Sequence, residues 1–272
     1  MIILAIVAIL MIVNSLTFIM YYNEHERELR QPELRVIKSA RAGEVMNYFL
    51  PGMMDQPDVN YAFLVEKKNG RHESIILELN GGMTMVYFRH TGWDALPAAI
   101  AIQQDIAQCG YKRVRIFSLS VGDHVARELE WYLGSVELEN IAINPCSSEP
   151  VLNALCQWLV MYVVPIVRLL DYALGWLSIA PVISPGHKKY SLWLITDQAT
   201  QLGCWREKFW IDSTLGVILS SRDEFLDNGA IKQHFGEDVP YVMIDAKHAD
   251  TQGHAEEYRK AVQEFLHNSR FK

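Results

Sequence analysis

The chain has 272 residues, half of them hydrophobic, and a formal net charge of -7. That suffices for one large core, or a core with a small subdomain, and the lack of a basic patch excludes a nucleic-acid partner. The four cysteines, Cys109, Cys146, Cys156 and Cys204, form no CxxC pair and match no zinc-site spacing, so they read as buried free thiols and imply no metal, cofactor or disulfide framework.

Residues 1–22, MIILAIVAILMIVNSLTFIMYY, carry no charged side chain. About 20 apolar residues span a bilayer core. A cleaved signal peptide would need a basic n-region and a small-residue cleavage site, and neither precedes Tyr21-Tyr22, which suit a membrane interface. The expectation is a single uncleaved transmembrane anchor. Arg27, Arg30, Arg35, Lys38 and Arg41 follow it and no Lys or Arg precedes it, which places the main domain in the cytoplasm. Residues 23–55, charged at first and then broken by Pro32 and Pro51-Gly52, read as a juxtamembrane segment.

Two β-rich runs then flank Asn69-Gly70, a hairpin signal because both turn positions need positive φ. SIILEL reads as a strand running into Asn80-Gly81-Gly82. WDALPAAIAIQQDIAQCG reads as a helix with Asp94 as N-cap, Pro97 in the first turn and Gly110 as the stop. RVRIFSLS reads as a strand, DHVARELEWYL as a helix ended by Gly134, and LENIAIN as another buried strand. Alternating strands and helices from Ser74 to Asn144 predict a mostly parallel sheet with helices on both faces, the α/β class. The alternation resumes with GVILSS, YVMIDA and a final helix whose stripe holds Ala255, Tyr258, Ala261, Val262, Phe265 and Leu266.

Ser120 stands where a strand meets a helix, with small residues two positions to either side, Ser118 and Gly122. This resembles the nucleophile elbow of the α/β-hydrolase fold superfamily, normally Gly-x-Ser-x-Gly, with Ser118 departing from the first glycine. The resemblance implies an acid and a base in the order Ser, Asp, His. Asp223 follows GVILSS and His248 follows YVMIDA, each just past a strand, so the implied triad is Ser120, Asp223 and His248; His254 and Asp227 are the alternatives. The resemblance also implies an oxyanion hole from Val121 and from a glycine-rich loop, assigned to Gly82 or Met83 in LELNGGMT, where Asn80 departs from the family's histidine.

The hydrolase core is thus expected over residues 56–150 and 206–272. The apolar stretch 151–205 falls where this family inserts a helical cap. A second membrane span there would put Ser120 and His248 on opposite sides of the bilayer. The cap's composition points to an apolar acyl group or a bilayer-facing surface. Together these imply a membrane-anchored serine hydrolase acting on an apolar, lipid-like or small-molecule ester, without cofactor. A peptidase or acyltransferase on the same scaffold, and a catalytically silent membrane-bound module, are the competing readings.

Overall fold

The computed structural model describes residues 32–41, 43–52, 57–68, 71–76, 78–87, 95–146, 152–164, 166, 181–183, 189–191 and 213–271. The expected anchor at 1–22, the Asn69-Gly70 turn, the Asp94 cap and most of the expected helical cap lie outside these residues. Among the described residues no helix is long and apolar enough to cross a membrane.

A seven-stranded sheet runs in the order β1-β5-β2-β6-β7-β10-β11. Its strands are β1 (Glu33–Lys38), β2 (Val45–Leu50), β5 (Gly82–Tyr87), β6 (Arg113–Leu119), β7 (Glu137–Ile143), β10 (Thr214–Ser220) and β11 (Tyr241–Ile244). Strand β1 is antiparallel to β5 and the other pairings are parallel. The inner strands are buried on both faces, and the polar residues within them, Asn47, Arg115, Ser118, Glu139 and Asn140, are buried with hydrogen-bond partners. Strand β1 is the exception. It exposes Glu33, Arg35 and Lys38, charges that discourage edge-to-edge pairing.

Alternate strand residues feed two cores. Met46, Tyr48, Leu50, Val114, Ile116, Val217 and Leu219 face helices α2 (Ala95–Cys109), α3 (Gly122–Leu133) and α5 (Asn228–Phe235). Phe49, Phe117, Leu119, Ile141 and Ile218 face Tyr61, Phe63 and helix α6 (Ala255–His267). Helix α2 buries Ala95, Ala98, Ala99, Ile102 and Ile106, spaced as one helical face, and α6 buries Tyr258, Ala261, Val262, Phe265 and Leu266 of its expected stripe. Short elements complete the described chain: α1 (Pro57–Asn60), the antiparallel pair β3 (Val65–Lys68) and β4 (Arg71–Ser74), α4 (Ala154–Trp158) continued by a π-helical turn over Leu159–Val163, and the pair β8 (Pro181–Ile183) and β9 (Lys189–Ser191).

The structure corrects two expectations. Residues 33–50, read as part of a juxtamembrane segment, supply two strands of the main sheet, and β2 is an inner one, between β5 and β6. The described residues of SIILEL beyond Ser74 are not strand; the sheet strand begins at Gly82. The reason is a buried polar cluster. Asn47, in the middle of β2, donates from Nδ2 to the carbonyls of Asn80 and Gly82, both at 2.7 Å. Its Oδ1 accepts from Arg115 Nη1 at 3.2 Å. Arg115 Nε and Nη2 each donate to Glu139 Oε2 at 3.1 Å, and Ser269 Oγ donates to the same oxygen at 2.6 Å. Both side chains of the Arg115–Glu139 pair are 1 % exposed. A polar residue inside β2 hid the strand, yet Asn47 holds the chain around Asn80 and Gly82, while Arg115 and Glu139 hold the C-terminal segment through Ser269.

Removing one member of a buried ion pair leaves the other charge uncompensated. We expect Glu139→Ala to lower stability by about 3–5 kcal/mol, read as a shifted denaturant midpoint at unchanged slope. A loss under about 1 kcal/mol would contradict the assigned role.

Candidate active site

The parallel strands end together at one pole, and the first sharp feature there is the turn after β6. Leu119 ends the strand, Gly122 begins α3, and Ser120 lies between them at φ 51°. Positive φ in a residue with a Cβ costs on the order of 1–3 kcal/mol and needs support. The Ser120 N–H donates to the Ile143 carbonyl at 2.9 Å, and the Ser120 carbonyl accepts from the Cys146 N–H at 3.0 Å. A Cβ on Gly122 would meet the carbonyl oxygens of Pro51 and Leu50 at 2.8 and 2.9 Å, so only glycine lets α3 start this close to the end of β2.

Ser118, standing where the family has glycine, fits in full burial. Its hydroxyl lies 3.2 Å from Asp123 Oδ1 and 3.1 Å from Asn140 Oδ1. Asp123 Oδ2 accepts from Arg127 Nε at 2.8 Å, and Arg127 Nη1 lies 2.7 Å from His234 Nε2. The departure from the glycine motif is therefore part of a polar network that ties β6 and β7 to α3. His124, on the first turn of α3, is 2 % exposed. Burial, and secondarily the Arg127 cation, push its pKa down to about 3, so it is neutral near pH 7.

The loops that carry Asp223 and His248 follow strands β10 and β11. Asn144 bridges β7 to β10, its Nδ2 donating to Ser220 Oγ and its Oδ1 accepting the Ser220 N–H, both at 2.8 Å. Just past Ser220, the chain turns to bring Asp223 over the site. Asp223 Oδ1 accepts the N–H groups of Phe225 and Leu226, both at 2.9 Å, which leaves Oδ2 for His248. Loop-to-loop bonds hold the base: Arg222 Nη2 to the Asp245 carbonyl at 2.6 Å, Ser221 Oγ to Asp245 Oδ1 at 3.0 Å, and the His248 N–H to Glu224 Oε2 at 3.2 Å.

The structure brings together the three residues expected to act in sequence. His248 Nε2 is 2.9 Å from Ser120 Oγ, and His248 Nδ1 is 2.7 Å from Asp223 Oδ2. The Asp223 side chain is 1 % exposed and that of His248 13 %, so the relay is shielded but reachable. The alternatives have other roles. Asp227 caps α5 through the N–H groups of Gly229 and Ala230, and His254 precedes α6 beside Asp250 and Glu257. Val121 adjoins Ser120 at the N-terminus of α3, where backbone N–H groups point out of the helix.

Gly82 and Met83 are not brought to the site. Gly82 pairs with Met46 and Met46 with Val114, so both sit near the start of the strands. Ser120 lies six residues beyond Val114, about 20 Å along the strand direction. The glycines serve close packing instead. Gly81 has φ 85°, and a Cβ there would lie 1.9 Å from the Val45 carbonyl oxygen. The loop beside the elbow is the one leaving β2 at Leu50-Pro51-Gly52, as the packing of Gly122 against it shows. Its Pro51-Gly52 pair was the available sequence signal, masked by reading this segment as a stalk.

Sequence reasoning also missed the contacts around the relay. Phe225 meets the His248 ring edge-on with centroids 5.3 Å apart, and is 48 % exposed. Tyr61 OH lies 2.6 and 2.7 Å from the carbonyls of Leu50 and Phe117, bracing the ends of β2 and β6. Among the described residues no cluster of His, Cys, Asp or Glu could hold a metal ion.

No protein-family model and no curated protein matches the sequence. The fold, by contrast, is widely shared. An α/β-hydrolase enzyme from a Medee basin deep-sea metagenome library superposes with a TM-score of 0.60 at 11% identity, covering 89% of this chain and 96% of that one. A hydrolase from Oleispira antarctica gives 0.57 at 13% identity, over 90% and 98%. An epoxide hydrolase from Bacillus megaterium gives 0.56 at 13% identity, over 87% and 97%. The chain therefore has the α/β-hydrolase fold.

The neutral His124 has a consequence for stability. Its pKa is depressed in the folded state, so below the ordinary value of 6.5 the unfolded chain binds a proton that the native chain does not. Stability from this group is present above that value and is lost as pH falls toward about 3. We expect His124→Leu to flatten the stability–pH slope in this window by about one proton, or about 1.4 kcal/mol per pH unit. An unchanged slope in denaturant titrations at several pH values would refute the buried neutral histidine.

Proposed function

We propose that this protein is a membrane-anchored serine hydrolase that cleaves an apolar carboxylic ester through a Ser120–His248–Asp223 relay. The observation that carries the reading is the chain of contacts from Ser120 Oγ to His248 Nε2 at 2.9 Å and from His248 Nδ1 to Asp223 Oδ2 at 2.7 Å. In this mechanism Nε2 takes the hydroxyl proton as Oγ attacks the acyl carbonyl carbon. Asp223 accepts the Nδ1–H bond, fixes the tautomer and stabilises the imidazolium. The Val121 N–H, with a donor from the loop after Pro51, meets the developing oxyanion. Pro51 has no N–H, so the first backbone donor in that loop is Gly52. His248 then protonates the leaving alkoxide. Water, activated by the same imidazole, attacks the acyl-enzyme, releases the acid and restores Ser120.

Neither departure from the family's pattern, Ser118 or Asn80, supports a silent module. Ser118 is accommodated by Asp123 and Asn140, and Asn80 lies at the far end of the strands, so neither departure bears on an oxyanion loop. The anchor rests on the uncharged segment 1–22, and the cytoplasmic side on the Lys and Arg residues that follow it. The apolar substrate rests on Phe225, which stands against the catalytic imidazole and presents a hydrophobic wall to an acyl or alcohol group.

A fluorophosphonate probe should label the wild type and not Ser120→Ala. Hydrolysis of p-nitrophenyl esters should fall about 10³-fold or more in Ser120→Ala and His248→Ala, and about 10⁴-fold in Asp223→Asn, with His254→Ala near wild type. A folded wild-type protein that takes no label would falsify the relay, and loss in His254→Ala alone would reassign the base.

A further inference from the structure

We propose that the active-site pole of the domain docks face-on against a lipid bilayer, and that the ester is drawn from that bilayer. The inference rests on the hydrolase reading above and adds the orientation of the site and the phase that holds its substrate.

The first observation is where the chain enters the fold. Strand β1 is antiparallel to β5, and Glu33 pairs with Tyr87 at the far end of β5. Met85 of β5 is level with Phe49, and Phe49 with Phe117, so Glu33 stands level with the end of β6 where Ser120 begins its turn. In the sheet order, β5 and β2 separate β1 from β6. Three strand spacings put Glu33 about 14 Å to the side of the nucleophile's strand. The uncharged segment 1–22 precedes it by residues 23–32, a span that cannot exceed about 35 Å even when fully extended. A tether this short, attached at the active-site pole, favours turning that pole toward the membrane.

The second observation is what that pole exposes. Residues 154–166 carry no charged side chain. A surface helix ordinarily turns polar residues outward. Here the outward positions are Leu155, Trp158, Leu159, Tyr162 and Ile166, spaced as one helical stripe, with Leu155 65 % and Trp158 53 % exposed. The helix is fixed at the mouth of the site: Leu152 bridges Leu226, the Asn153 N–H donates to the Phe225 carbonyl at 2.8 Å, and Asn153 Nδ2 donates to the Glu224 carbonyl. Exposed Phe225 extends the stripe to His248. The stripe is thus tethered directly to the loop that places Phe225 against the His248 ring. Trp and Leu on a face held parallel to a bilayer are the residues of interfacial insertion. A substrate that must leave lipid gives a reason for them, because the exposed stripe is anchored to the loop whose Phe225 stands against His248.

The far pole supplies a control. Helix α3 runs away from Ser120, so Trp131 and Tyr132 near its end are exposed apolar side chains on the opposite side. The test uses the full chain in phosphatidylcholine vesicles that carry a photoactivatable diazirine acyl chain. Adducts should appear on the peptide 152–166 as well as on 1–22, at about ten times the level on the peptide that holds Trp131 and Tyr132. Adducts on 1–22 alone overturn the docking, as do links from 152–166 to a second copy of the chain. This readout needs no catalysis and is run on Ser120→Ala as well, so it stands even where fluorophosphonate labelling fails. A second arm compares rates. Leu155→Glu with Leu159→Glu should slow hydrolysis of a long-chain ester embedded in the vesicles about ten-fold and leave soluble p-nitrophenyl butyrate within about two-fold, with Trp131→Glu changing neither. Equal losses on both substrates, or no loss on the embedded ester, overturn the proposal.

Discussion

The active-site pole is organised around one strained residue. Ser120 sits at φ 51°, and its backbone is held by hydrogen bonds to Ile143 and Cys146 on the β7 side and by close packing of Gly122 on the β2 side. These supports require β2, β6 and β7 to be adjacent and parallel, so that their ends arrive at one level. The sheet order is therefore a condition for the turn, and the turn in turn aims Oγ at the loop that carries His248. Strain at a site persists only where the surroundings over-determine it, and here strand register, a glycine contact and two main-chain bonds all fix the same residue.

The opposite pole works by a different means. There Arg115, Glu139, Asn47 and Ser269 form a closed hydrogen-bonded set, nearly free of solvent, that reaches strands β2, β6 and β7 and the C-terminal segment. Buried charges are tolerated when each is paired and hydrogen-bonded. This set fixes the starts of the same three strands whose ends frame Ser120. A polar clamp at one pole and a strained turn at the other bracket one stretch of sheet, and between them Ser118 and Asn140 are held with Asp123 in a buried network that ties β6 and β7 to α3.

The three residues that the fold brings into one hydrogen-bonded chain were the most legible part of the sequence. Ser120, Asp223 and His248 each follow a β-rich run, and the end of a buried strand is an easily read boundary: apolar residues stop and small or charged ones begin. The oxyanion side was illegible for the same reason. Both signals that locate a strand, apolar continuity and a glycine break, favoured SIILEL and Asn80-Gly81-Gly82 over VMNYFL and Pro51-Gly52. The inner strand β2 carries a buried asparagine, and it follows a stretch rich in charge. Asn47 has partners only in three dimensions, on β6 and on the chain before β5, so nothing local marks it as a core residue. Chain entry at β1 was hidden similarly, because an edge strand with Glu33, Arg35 and Lys38 outward looks like a charged linker.

That edge strand also settles how the parts share one end of the molecule. An edge strand parallel to β5 would have begun at the far pole. The antiparallel pairing of β1 instead starts it beside the strand ends that carry the site. The alternation of exposed charge and half-buried Leu34 and Ile37 lets β1 cover β5 while keeping an edge that resists further strand addition. One reversed strand thereby satisfies two demands that compete in an open sheet: it closes the flank of β5, and its first residue, Glu33, stands level with the strand end that precedes Ser120.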